Sequence, residues 1–145
     1  MVRISICKDF SETPGGRYIK EGRFSGEEFR EQLLKDKYME AEDNNTQLEI
    51  DFDGCYGIGT SFLEEAFGGL VRKYHIHGLL DKIVMISTED ETIPDNVYKY
   101  VTDAEKEDLQ WRIKSYILLH AYVYALFPFW SELILRWVVF SRPLW

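Results

Sequence analysis

Across residues 47–74 the hydrophobic period changes from two to 3.6 over a glycine-rich loop. That change restricts the architecture more than any other feature of the chain. Leu48, Ile50 and Phe52 alternate with Gln47, Glu49 and Asp51, the pattern of a strand with one apolar face. Leu63, Ala66, Phe67, Leu70, Val71 and Tyr74 then recur at i, i+3, i+4 and i+7 spacing, which predicts a helix with one buried stripe. The helix is expected to begin at Ser61, with Ser61 and Glu64 forming a capping box. Gly68 and Gly69 inside it each cost about 1 kcal/mol against alanine, so a close backbone approach is expected there.

The same grammar extends both ways. Val2, Ile4 and Ile6 alternate with Arg3 and Ser5, predicting a strand over 2–7. A turn containing Pro14-Gly15-Gly16 follows, and a short second strand over 17–19 is expected to pair back on the first. Ser25 and Glu28 fit a capping box opening a helix to about residue 42. Residues 83–86 read as a further strand. Pro94 suits the first turn of a helix ending near residue 110. Strands alternating with helices predict an α/β domain over 1–108, a small mixed β-sheet flanked by helices. Residues 109–145 form an apolar, aromatic-rich helical extension.

Charge sets limits on partners. Residues 1–110 hold 24 acidic and 13 basic side chains, residues 111–145 one acidic and four basic. An acidic domain offers no nucleic-acid surface, which needs clustered Lys and Arg. Cys7 and Cys55 belong to no CxxC pair and read as two ordinary reduced thiols. His75 and His77 alone make a poor metal set, and the dipole at a helix C-terminus accounts for His75. No cofactor is expected. MVRISICKDF lacks the apolar run of a signal peptide, so a cytoplasmic location is expected.

Three segments occur in order: TPGGR (13–17), FSGEEFREQLL (24–34) and LEIDFDGCYGIGTSFLEEAFGGLVR (48–72). Together they resemble the STAS-like family, over about residues 3–105. The resemblance implies the fold of anti-sigma factor antagonists. Those proteins bind a histidine-kinase-like ATPase and are switched by phosphorylation at the start of their second helix. Their Asp-Ser-Ser-Gly run corresponds here to Gly59-Thr60-Ser61-Phe62. Two hydroxyls are kept, and the aspartate and final glycine are not. By position Thr60 matches the phosphoacceptor and Ser61 the residue after it. The resemblance thus implies a regulatory protein-binding module and no enzyme. The docking face would comprise Tyr56, Ile58 and Gly59 of the loop, Glu65 of the helix, and Arg17 and Arg23 before the first helix.

Two other readings compete. DFDG (51–54) and VMIST (84–88) are similar to segments of haloacid-dehalogenase-type phosphatases, which would make Asp51 and Asp53 the centre of a Mg²⁺-dependent phosphatase. The bland alternative leaves Asp51 facing solvent and Asp53 in a turn. The tail supplies the other. Residues 116–140 are long enough to cross a bilayer, with Arg112, Lys114 and Arg142 as flanking anchors, and would tether the domain as a membrane-bound signalling adaptor. Pro128, Glu132 and Arg136 oppose a span. They favour a pair of helices broken near Pro128, and an ending foreign to the domain, such as a shifted reading frame, is the remaining option.

Overall fold

Three strands, β1 (Val2–Ser5), β2 (Leu48–Asp51) and β3 (Ile83–Ile86), pair in that order, all parallel. Val2 stands opposite Leu48 and Ser5 opposite Asp51, and Leu48 stands in turn opposite Ile83. This computed structural model describes the backbone of residues 1–140 and the side chains of residues 1–123. The chain divides into two compact units, Met1–Asp108 and Leu109–Trp145.

The sheet is therefore parallel rather than mixed, and the reason lies at residues 17–19. No strand forms there. The Glu21 carboxylate accepts the backbone N–H groups of Arg17 (2.9 Å) and Tyr18 (3.2 Å), and Glu27 accepts that of Ile19 (3.0 Å). These acceptors consume the donors that a ladder to β1 would need. β1 is also shorter than expected. It gives way at Ile6 to a single π-helical turn, Ile6–Phe10, with the Asp9 carboxylate accepting the Ser5 N–H at 2.7 Å.

Helix α1 covers 26–43 and α2 covers 60–74. Both carry a π-helical segment between α-helical pieces. In α1 the order is Gly26–Phe29, Arg30–Leu34, Lys35–Asp43. In α2 it is Thr60–Leu63, Glu64–Gly68, Gly69–Tyr74. A π segment closes i→i+5 bonds and so turns the following side chains away from strict 3.6 periodicity. Glu65, which lies inside the π segment of α2 and outside the stripe read from the sequence, is buried, and so is Phe62 in the turn before it. Ser25 caps α1 as expected, accepting from the Glu28 N–H at 3.1 Å. The reciprocal Glu28 carboxylate takes the Phe24 N–H (2.7 Å), one residue before the cap.

A short helix α3 (Leu79–Lys82) leads into β3. Helix α4 (Thr92–Phe140) follows. Within the first unit its residues Ile93, Val97, Val101 and Ala104 are buried at intervals of three and four. The predicted end near residue 110 and the break near Pro128 are both corrected. No glycine or proline lies between Pro94 and Pro128, so nothing stops propagation, and the helix continues past Pro128 itself. Among the described residues no helix is long and apolar enough to cross a membrane. The side chains of Pro128, Glu132 and Arg136, and Arg142 altogether, lie outside the described residues.

Phenylalanines fill the centre of the first unit. Phe29 of α1 sits 5.6 Å from Phe62 and 6.5 Å from Phe67 of α2, ring to ring. Phe52 lies 5.9 Å from Phe67. All four rings are buried with Ile4, Leu48 and Ile50 of the strands. This packing holds α1 and α2 against the sheet and fixes where the 53–60 loop leaves it.

Candidate functional site

The loop from β2 to α2 is shaped by carboxylates and glycines. The Phe52 N–H extends the sheet to Ile86 O at 2.9 Å. Asp53 then clamps the loop after β3, accepting from the Thr88 N–H (2.8 Å), the Thr88 hydroxyl (2.7 Å) and the Glu89 N–H (3.1 Å). The Thr88 hydroxyl foremost, with the two backbone donors, holds the Asp53 carboxyl below its ordinary value. Gly54 (φ +84°) and Gly57 (φ +115°) adopt left-handed backbone. The Tyr56 N–H donates to Glu12 O at 2.8 Å, so its side chain projects outward and is 86% exposed.

Helix α2 begins one residue earlier than expected. Gly59 is its N-cap, with Gly59 O accepting the Phe62 and Leu63 N–H groups at 3.0 and 3.2 Å. Ser61 is thus inside the first turn and caps nothing, and Glu64 does not close a box with it. Thr60 is exposed and Ser61 half-buried. Tyr56, Gly59, Thr60 and Ser61 accordingly share one accessible rim. Ile58 is half-buried and packs against the core, so its role is largely structural.

Two expected docking residues, Glu65 and Arg17, are engaged inside the protein. Glu65 is buried and ion-paired with the equally buried Arg30, whose guanidinium also donates to Glu65 O at 2.7 Å. It does not face a partner. Gly69 makes room for this pair, because a Cβ there would overlap Arg30 Nη1; this is the close approach that the double glycine predicted. Burial disfavours the charged Arg30 guanidinium, but its bonds to Glu65 and Glu31 outweigh that and raise its pKa. Arg17 reaches Glu64 at 2.6 Å, and Arg72 meets the same carboxylate at 2.6 Å. Arg23 remains exposed, lying over the Phe24 ring at 5.1 Å. The structure does not bring Arg23 to the rim through any described contact.

Sequence reasoning missed the Arg30–Glu65 pair entirely. The available signal was an arginine in the apolar run of α1 together with paired glycines one helical turn after a glutamate in α2. It accounted for His75 by the helix dipole alone and gave His77 no partner. His75 Nδ1 lies 2.5 Å from Asp108 Oδ1 and His77 Nε2 lies 3.1 Å from Asp108 Oδ2. The Gly78 N–H adds a bond to Glu105 at 2.9 Å, so this stretch docks the end of α2 on α4.

The two aspartates of the phosphatase reading also have structural partners. Asp51 meets Arg3 at 3.0 Å, as does Glu49 beside it. Asp53 is the loop clamp described above. Among the described residues no group of three His, Cys, Asp or Glu side chains is placed to hold a metal.

Taken together, sheet, helices and loop define a small parallel α/β domain presenting the hand-over from its central strand to α2 as an accessible rim. Residues 25–92, from the α1 cap to the start of α4, match the family described as the STAS-like domain of unknown function (DUF4325). No curated protein and no solved structure matches the chain.

Proposed function

We propose that this domain is a regulatory protein-binding module of the anti-sigma-factor-antagonist kind. It docks a histidine-kinase-like ATPase through the 53–61 rim, and phosphorylation of Thr60 changes that docking. The observation that carries the reading is Thr60 itself. It is exposed at the first residue of a helix whose cap offers no side-chain acceptor, and its hydroxyl makes no hydrogen bond among the described residues. A phosphate there meets open backbone N–H groups and the positive end of the helix dipole. It adds about −1.5 to −2 charge at the rim, enough to reverse the preference for an acidic or basic partner surface. Tyr56, the most exposed large side chain of the loop, supplies the kind of aromatic anchor that dominates interface energetics.

The test uses the full chain, ATP and a purified histidine-kinase-type ATPase. Mass spectrometry is expected to find one phosphate on the peptide containing residues 60 and 61, absent in Thr60→Ala. Thr60→Glu is expected to weaken binding of the ATPase by about tenfold, roughly 1.4 kcal/mol. A chain that neither binds that ATPase nor takes a phosphate contradicts the reading.

A further inference from the structure

Cys7 and Cys55 are distant in sequence and adjacent in the fold. Cys7 lies on the π turn that leaves β1, and Cys55 on the loop that leaves β2. The two strands are parallel neighbours ending at Ser5 opposite Asp51, so both exits emerge at the same end of the sheet. Cys7 Sγ donates to Gly54 O at 3.1 Å, and a Cβ on Gly54 would stand only 3.3 Å from that sulfur. The bare glycine lets the Cys7 thiol settle over the peptide that joins Gly54 to Cys55. Cys55 Sγ in turn reaches Ser11 O, five residues from Ile6, at 3.7 Å. Both thiols are free and half-buried.

We propose that Cys7 and Cys55 form an oxidative modification site that a peroxide converts to an intramolecular disulfide. The proposal stands apart from the docking reading, since it concerns the thiols and not the rim hydroxyls. Burial first, and the neighbouring Cys7 thiol second, push the Cys55 thiol up to about 11. Cys55 is thereby held as a thiol, which assigns the first attack to Cys7.

In that step Cys7, having lost its proton, attacks one peroxide oxygen. The O–O bond breaks, water leaves, and Cys7 becomes a sulfenic acid. Cys55 sulfur then attacks the Cys7 sulfur, the S–O bond breaks, and the hydroxide leaves as water with the Cys55 proton. Two thiols are oxidised, one peroxide is reduced, and two waters form. The new bond ties the Ile6–Phe10 turn to the loop that carries Tyr56.

The test treats the reduced full chain with hydrogen peroxide at near-stoichiometric amount. The intact mass is expected to fall by two hydrogens with the chain still monomeric. A non-reducing peptide map should join the Cys7 and Cys55 peptides, and dithiothreitol should separate them. Cys55→Ser is expected to stop at a sulfenic acid on Cys7 that dimedone traps, and Cys7→Ser to form no intramolecular bridge. Thiols that both stay open to alkylation would overturn the proposal, as would peroxide yielding only bridged dimers or sulfinic acid. The wild-type mass and map decide it even if either serine variant fails to fold.

Discussion

Glu31 shows how a single surface-side residue contributes to stability. Its carboxylate accepts from Tyr74 Oη (2.6 Å), Arg30 Nε (2.8 Å) and Lys73 Nζ (2.9 Å), joining α1 to the end of α2. Burial alone would raise its pKa, but these three donors outweigh burial and hold the carboxyl down at about 2, against an ordinary value of 4.5. A depressed carboxyl contributes stability that is fully present above the unfolded value and lost as pH falls through the folded one. The window here runs from pH 4.5 down to about 2. Solvent around Lys73 and Tyr74 screens the interaction, leaving about 1–2 kcal/mol of the larger figure the shift alone suggests. Glu31→Gln is therefore expected to lower stability by about 1 kcal/mol at neutral pH and to flatten the decline across that acid window, read by urea unfolding at a series of pH values. Wild type and variant falling in parallel through the window would contradict this.

At the scale of elements, the contact between α1 and α2 is the part of the fold least tolerant of added volume. Gly26 abuts the Phe62 backbone so closely that a Cβ would overlap Phe62 O. Backbone cannot swing aside as a side-chain tip does. Gly26→Ala is expected to destabilise by about 1–3 kcal/mol, although alanine is the better helix former; a thermal midpoint unchanged or raised would contradict the packing described. The same contact explains what the sequence concealed. The apolar stripe of α2 was legible from Leu63 to Tyr74, and the paired glycines announced a close approach. The π segments were not legible, because a single i→i+5 closure leaves no periodic mark in so short a helix. Without them Glu65 projects to solvent on a helical wheel; with them it turns inward to Arg30. The start of α2 was misplaced for a related reason. Ser61 and Glu64 carry capping-box chemistry, but Gly59 takes the cap and Glu64 is drawn to Arg17 and Arg72.

At the scale of the whole molecule, β1 and β2 could be read from alternating apolar residues and β3 from a continuous apolar run. Strand direction could not. It turned on whether 17–19 pairs with β1, and the carboxylates of Glu21 and Glu27 decide that from positions outside the segment. The rim was legible as a place, the junction of the period-two and period-3.6 patterns, since Thr60 and Tyr56 are accessible there. Its neighbours Glu65 and Arg17 were not, because tertiary ion pairs claim them. The proposed function requires this rim to receive a protein. Hydrogen–deuterium exchange of the full chain, with and without a purified histidine-kinase-type ATPase, tests that directly. Slowed exchange over residues 53–63 on adding the ATPase, with unchanged exchange over 16–23, is the expected outcome. Exchange over 53–63 that is indifferent to a bound ATPase, or protection confined to another surface, would contradict it.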